Sequence, residues 1–353
     1  MYMNHYHSDV IQFTGNHYDF GYMQGELLKE SPILFNREKQ WAATRKRHFI
    51  IDEKEAIQLF TKFLPSMLDE LQGLADALNW TMKDALREFG GYYVDYEKSG
   101  CSILTGTEFI IRNYDSHPSY YEGRYTIYKP TDTGYAVIGP SMQITGRTDG
   151  MNEKGLAMGY NFINRVGSEN GFVCNMIGRI ILETCANVEE AITLLKEIPH
   201  RTSFNYVLID PSGETFVVEA SPREVIARKT NISTNHFEVL TKENRYRTGD
   251  SLRRQKVLET QIGEDPDVYK AYQRLNDQEK EIFSNKYDAS AGTIHTSAYL
   301  PREKKALFAI GGNRLPVIFD FNRFLEGERI NIKQIKGMLN YHKPFVNMES
   351  DDD

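Results

Sequence analysis

The chain has 353 residues, 40% of them hydrophobic, enough to build a real core as one large domain or two modest ones. Its 42 Lys and Arg are outnumbered by 49 Asp and Glu, a net charge of −7, and no basic stripe forms, so nucleic acid is excluded as a partner. Cys101, Cys174 and Cys185 are odd in number, widely spaced and without a CxxC pair, which argues against a disulfide frame and against a zinc site.

At the N-terminus, MYMNHYHSDVIQF lacks the basic-then-apolar pattern of a secretory signal. No apolar run approaches the ~20 residues needed to span a bilayer. The expectation is a cytoplasmic protein with no membrane partner. Residues 19–30 have helical composition, and the basic knot TRKRH at 44–48 reads as a solvated helix face. Ala56, Ile57, Leu59, Phe60, Phe63 and Leu64 predict a helix that Pro65 interrupts. Met67, Leu68, Leu71, Leu74, Ala75 and Leu78 recur at helical spacing. Thr81 with Asp84 opens another helix in the manner of a capping box, ending near Gly90-Gly91.

From Cys101 the pattern changes. SILTG and EFIIRNYD predict strands around a glycine-containing turn, and RYTIYK and YAVIG continue the run. MNEKGLAMGYNFI reads as a turn at 152–155 leading into a strand. Two helices follow, one around Val173–Ile181 and one around Val188–Leu195, the second capped by Asn187 with Glu190. SFNYVLIDPSGETFVVEAS is a hairpin with a Pro-Ser-Gly turn. Helices resume over 250–285. TIHTSAYL, KALFAIG and PVIFDF are strands, and a last helix is predicted over 331–340 before the acidic MESDDD tail. Strands such as YVLI and FVV are apolar on both faces, which suits a sheet covered on both sides. The fold class is α+β, a layered αββα sandwich of two antiparallel sheets with a helical N-terminal segment.

The stretch EKSGCSILTGTEFIIRNYD, residues 97–115, carries the chemistry. A free cysteine is usually a small buried hydrophobe, and Cys174 and Cys185 fit that reading within their apolar patterns. Cys101 differs because Gly100 precedes it and admits backbone geometries other residues avoid. A thiol there could attack the preceding carbonyl and form a thioester, and hydrolysis would leave Cys101 as a new N-terminus. Its α-amine, with an ordinary pKa of about 7.7–8.0, would then serve as the base for the thiol. Such a site needs a cation near sulfur and a carboxylate near the amine, and Arg112 and Asp115 supply both types. They are an odd number of residues apart, so an ideal strand turns them to opposite faces and a bend is needed to converge them.

GCS…RNYD is followed in order by GMNEKGLAMGYNF, IDPSGETFVVEASP, STNHF and DSLRRQKVLE. Over most of its length the chain resembles the isopenicillin-N acyltransferase family (peptidase C45-like), related to the choloylglycine hydrolases and penicillin V acylases. All are N-terminal-nucleophile hydrolases of αββα fold. The resemblance implies Cys101 as nucleophile after cleavage between Gly100 and Cys101. It implies Arg112 and Asp115 as the pair near thiol and amine, and Asn161 near the scissile carbonyl. Asn235 becomes an oxyanion-hole donor and Arg254 the late arginine of the network, with Arg253 the alternative one register step away. Residues 1–100 become a helical pro-piece or small subunit, and 101–353 the αββα catalytic core. Taken singly, Asn161 and Asn235 read as turn or strand-end residues, Arg112 with Asp115 as a structural ion pair, and Arg253 and Arg254 as a solvated helix face. As an ordered set behind Gly-Cys they read as a site.

The function this implies is a self-processing cysteine amidase or acyltransferase acting on a small acyl amide through a thioester on Cys101. Water or an amine takes the acyl group. Acyl-CoA is a further partner the resemblance allows, and so is a homo-oligomer. No metal or organic cofactor is implied, and no HExxH, Walker or G-x-G-x-x-G pattern is present. Two other readings remain: an unprocessed, non-catalytic relative that binds an acyl amide, and a Cys-His thiol protease using His236 or His295.

Overall fold

The structure is a computed structural model that describes residues 4–42, 52–92, 100–245, 249–261 and 267–349. The basic stretch 44–48, Ser99 and the last residues of the acidic tail lie outside this range.

The N-terminal hundred residues begin with a strand, β1 (Asn4–Gly15), followed by α1 (His17–Lys29), α2 (Ile33–Ala42), α3 (Glu53–Phe63), α4 (Ser66–Leu78) and α5 (Met82–Phe89). Side-chain caps open several of these helices: Asn16 for α1, Asp52 for α3, and a full Thr81–Asp84 capping box for α5. The expected helical segment therefore also supplies a strand. The core continues with β2 (Gly100–Thr105), β3 (Ile110–Ser116), β4 (Arg124–Pro130), β5 (Val137–Met142), β6 (Gly146–Arg147), β7 (Asp149–Asn152) and β8 (Ala157–Phe162). Helices α6 (Cys174–Thr184) and α7 (Val188–Glu197) precede the hairpin β9 (Phe204–Ile209) and β10 (Thr215–Ala220), then β11 (Val225–Arg228) and β12 (Ile232–Ser233). The last stretch holds α8 (Gly249–Gln261), α9 (Val268–Asn276), β13 (Asn285–Lys286), β14 (Ala291–Leu300), β15 (Lys305–Ile310), β16 (Val317–Asp320), α10 (Phe321–Leu325) and β17 (Gln334–Leu339).

A 10-stranded sheet runs in the order β11-β10-β9-β8-β7-β5-β4-β1-β17, with β6 on β5. A 7-stranded sheet runs β12-β2-β3-β14-β15-β16, with β13 on β14. Among the named strands, pairing is antiparallel except between β1 and β4, which are parallel. The helix predicted over 331–340 is instead β17, paired antiparallel with β1. Ile335 and Leu339 satisfy both helical and alternating spacing, and burial alternates as a strand requires, so pairing with β1 overrides the local pattern.

Among the described residues, the three largest apolar cores define four layers. One lies between the larger sheet and the helices of the N-terminal half, built on Phe20, Leu71, Leu74, Ile177, Ile180 and Tyr160. A second lies between the sheets, where Cys101, Ile103 and Tyr114 meet Tyr125, Ile138 and Val207. The third places α8 and α9 against the smaller sheet through Leu258, Leu275, Leu104 and Leu307. This is the αββα sandwich. Helices α1 and α4 touch so closely that a Cβ on Gly21 would lie 1.9 Å from the Glu70 carbonyl oxygen, a contact only glycine allows.

A buried polar chain runs beneath α1. His17 Nδ1 meets Asp132 Oδ1 at 2.8 Å and its Nε2 meets Glu183 Oε2 at 3.1 Å. Glu183 pairs with Arg179, which donates to Glu70 Oε2 at 2.6 Å. Gln24 Nε2 donates to Glu70 at 2.8 Å, and Arg124 Nη2 donates to Gln24 Oε1 at 2.9 Å. The charges of His17, Glu183, Arg179 and Glu70 are each paired with an opposite charge, as burial demands. The chain ties the N-terminal segment to the core sheet. Among the described residues, no helix is long and apolar enough to cross a membrane.

Candidate active site

Cys101 is the second residue of β2 and fully buried. It lies opposite Tyr114 in the antiparallel ladder with β3, and Gly100 lies opposite Asp115. Paired residues share a face, so the Cys101 side chain points between the sheets with Tyr114 and, two positions back on β3, Arg112. Arg112 Nη2 donates to Cys101 Sγ at 3.3 Å and to the Tyr160 carbonyl at 2.7 Å. Its Nη1 donates to the Thr148 carbonyl at 2.7 Å and to Asp149 Oδ1 at 2.8 Å. The guanidinium also lies 4.7 and 4.6 Å from the ring centroids of Tyr114 and Tyr160. Burial pushes the thiol above its ordinary pKa; the Arg112 charge pulls it back, the Asp115 charge raises it, and the Asp115 backbone amide lowers it.

Asp115 does not converge with Arg112 on the sulfur, and β3 needs no bend. The two serve opposite faces of the strand. Asp115 Oδ2 lies 3.0 Å from the place a Cβ on Gly100 would occupy, so the carboxylate packs directly on the peptide before Cys101. Thr293 donates to its Oδ1 at 2.7 Å. Burial raises the Asp115 pKa to about 6, against the lowering pull of Arg254 and the Thr293 hydroxyl. The register of β14 against β3 slips between Thr293 and His295, a bulge opposite Tyr114 and Asp115.

Asn235 and Arg254 hold the backbone of Cys101. The Cys101 N–H donates to Asn235 Oδ1 at 2.9 Å. Arg254 Nη1 donates to the Cys101 carbonyl at 2.6 Å and to Ser102 Oγ at 2.7 Å, and its Nη2 donates to Asn235 Oδ1 at 2.8 Å. Asp250, one helical turn back on α8, accepts from Arg254 Nε at 2.9 Å. Ser251 Oγ accepts from the Asn235 N–H at 2.8 Å, and Asn235 Nδ2 donates to the Phe162 carbonyl at 2.9 Å. Arg253 points away, to the Glu281 carbonyl and Asp250, and is exposed, so Arg254 is the arginine that reaches Cys101.

Asn161 follows Tyr160 on β8. Alternation puts it on the inter-sheet face with Ala157 and Gly159. Gly159 makes room for the Arg112 stem: a Cβ there would lie 3.2 Å from Arg112 Cδ. Asn161 is fully buried, yet neither its Oδ1 nor its Nδ2 has a hydrogen-bond partner among the described residues. A buried amide without partners costs about 1–3 kcal/mol.

The two histidines of a Cys-His arrangement are engaged elsewhere. His295 Nδ1 meets the Tyr121 hydroxyl at 2.9 Å, its ring stacks on Tyr114, and its Nε2 is 3.5 Å from Asp149 Oδ1. His236 Nδ1 meets Ser251 Oγ at 2.9 Å. The sequence did not single out Asp149, although it anchors Arg112. Its carboxylate also accepts from Thr148 Oγ1 at 2.7 Å, Ser297 Oγ at 2.5 Å and the Tyr299 hydroxyl at 2.9 Å. Burial opposes its charge, but the His295 and Arg112 contacts and these donors hold its pKa well below the usual carboxylate range. An Asp in RTDGMN carries no local signal of this role, because its partners come from β3 and β14.

The pattern of the acyl-coenzyme A:6-aminopenicillanic acid acyl-transferase family matches residues 104–315, more than half of the chain. The match starts just beyond Cys101 and includes Arg112, Asp115, Asn161, Asn235 and Arg254. No curated protein matches the chain. Among solved structures, the chain is similar to a mutant of conjugated bile acid hydrolase from Clostridium perfringens. The identity is 15% and the TM-score 0.44, over 70% of this chain and 98% of that one. It is also similar to penicillin V acylase from Agrobacterium tumefaciens, at 16% identity and TM-score 0.42 over 62% and 84%. A third is the Caenorhabditis elegans ortholog of N-acylethanolamine-hydrolyzing acid amidase, at 10% identity and TM-score 0.39 over 57% and 93%.

Proposed function

The chain belongs to the acyl-coenzyme A:6-aminopenicillanic acid acyl-transferase family, and on that premise we propose that it is a self-processing cysteine amidase or acyltransferase with Cys101 as nucleophile. The observation that carries this reading is the double hold on Cys101. Its sulfur sits against the Arg112 guanidinium while its N–H and carbonyl are bound by Asn235 and Arg254. A cysteine serving only as packing needs neither.

In processing, Cys101 Sγ attacks the Gly100 carbonyl carbon as its proton leaves the sulfur. The Gly100–Cys101 amide bond breaks, the nitrogen takes up a proton, and a thioester remains. Water hydrolyses the thioester, releasing the Gly100 carboxylate and restoring the thiol. The new α-amine stays beside Asn235 Oδ1 and accepts the thiol proton in later cycles. Asp115, packed on this peptide, is placed to hold the ammonium. Sulfur then attacks the carbonyl of an acyl amide, the amine leaves with a proton, and water or a second amine takes the acyl group. The free amide of Asn161 supports a role as donor to the developing oxyanion. The side-chain amide of Asn235 is the other candidate. Acyl-CoA fits the same scheme as an acyl donor, with a thiol as the leaving group.

The test is the intact mass of freshly purified protein under denaturing conditions, with Cys101→Ala alongside. Two fragments, 1–100 and 101–353, in the wild type and one chain in the variant are expected. A fully active wild type that runs as one intact chain would overturn self-processing. Turnover of acyl amides by Cys101→Ala would overturn the nucleophile itself.

A further inference from the structure

A cavity of about 400 Å³ lies on the other side of the larger sheet from the Cys101 sulfur, where the N-terminal helices meet the chain leading into β17. β17 pairs with β1 only as far as Asp9. Beyond that point residues 329–333 run beside β1, fixed by the Val10 N–H to Lys333 carbonyl bond and by the Gln12 side chain on Ile330. Met23 and Leu28 of α1, Ile33 of α2 and Ile332 form an apolar wall. The volume falls in the range of small-molecule sites, about 300–1,000 Å³.

Three cations line the same space. Arg124 is buried, 2% exposed, and is held in place through Nη2 by Gln24, the last link of the polar chain that begins at His17. Its Nη1 is buried and has no hydrogen-bond partner among the described residues. The side chains of Arg329 and Lys333 stand exposed at the opening, with no hydrogen-bond or ion-pair partner among the described residues. Of the acids whose charges act on Arg124, Glu122 pairs with Arg37 and Glu70 with Arg179, while Asp9 lines the cavity itself and accepts from the neutral amides of Gln334 and Asn347. A buried guanidinium donor left unpaired is costly unless a ligand completes it.

We propose that this cavity binds a small amphipathic anion, with the charged head on Arg124 Nη1, Arg329 and Lys333 and the aliphatic body against Met23, Leu28, Ile33 and Ile332. A guanidinium fork accepts a carboxylate or a phosphate head equally well in geometry. The site is separate from Cys101 and holds whichever reaction that cysteine performs.

The experiment is calorimetric titration of the full chain with octanoate, octyl phosphate and 1-octanol. It is repeated on Arg329→Glu/Lys333→Glu, which changes only exposed side chains, and on Arg124→Met. Saturable binding of octanoate or octyl phosphate is expected, with the preferred head identifying the natural one. 1-Octanol should bind at least tenfold more weakly. Both variants should bind the anion at least tenfold more weakly, and the double variant should keep the wild-type melting temperature. No binding of either anion would overturn the proposal. So would equal binding of 1-octanol, or unchanged affinity in the double variant, which would place the ligand elsewhere.

Discussion

The guanidinium of Arg112 binds the sulfur of Cys101 with one arm and the carboxylate of Asp149 with the other. The cation that favours the thiolate is thus itself fixed by a buried anion. Removing Arg112 alone would strand Asp149, a loss of about 3–5 kcal/mol in stability for a broken buried pair. The double variant Arg112→Met/Asp149→Asn avoids that. In it the pH midpoint for alkylation of Cys101 is expected to rise by about one unit or more, and turnover to fall about 10²-fold or more. An unchanged midpoint would show that Arg112 is structural only.

Gly100 is the residue on which Asp115 packs. In Gly100→Ala the new methyl would sit 3.0 Å from Asp115 Oδ2 and 3.2 Å from its Cβ. Crowding of this kind costs about 1–3 kcal/mol. The expected outcome is a chain that folds, with cleavage before Cys101 slowed at least tenfold in a mass-spectrometric time course. Cleavage at the wild-type rate would mean that the fit of Asp115 on this peptide does not matter.

Asn161 separates stability from catalysis. Its amide is buried without partners, so Asn161→Ala should leave the urea midpoint unchanged or raise it. If the amide donates only in the transition state, kcat falls about 10²–10³-fold with KM nearly constant. A variant with normal kcat would remove Asn161 from the site.

His17 is fully buried between two carboxylates. Burial by itself would lower its pKa, but the hydrogen bond and charge of Glu183 raise it to about 9. A folded-state pKa above the unfolded 6.5 means that protonation stabilises the fold. That stability is fully present below pH 6.5 and is lost as pH rises through about 9. The loss is on the order of 3 kcal/mol. Thermal melts from pH 6 to pH 10 should show a falling midpoint that flattens in His17→Gln. Equal slopes in the two proteins would contradict the assignment.

The helices were legible wherever apolar spacing coincided with a cap, as at Thr81–Asp84 and Asn187–Glu190. The strands from Cys101 to Phe162 and the hairpin at 204–220 were legible from β-branched and aromatic runs broken by turn residues. The two ends of the chain were not. NHYHSDVIQF has no clear alternation, and QIKGML fits both periods, yet the two segments pair as β1 and β17 at the edge of one sheet. Pairing across more than three hundred residues leaves no local trace.

The sequence by itself determined the chemistry within reach: a Gly-Cys step, an Arg and an Asp on the next strand, two asparagines and a late arginine in a specific order. Only the tertiary structure decided how they are arranged. Strand alternation put Arg112 on the sulfur side and Asp115 on the Gly100 side. Burial selected Arg254 over Arg253, because only the side chain turned inward from α8 reaches the Cys101 carbonyl. Asp149 and the cavity at Arg124 emerged only from the fold, since each is defined by groups brought from distant strands and helices. A local pattern records which groups a chain carries, while their pairing depends on which of them folding removes from water together.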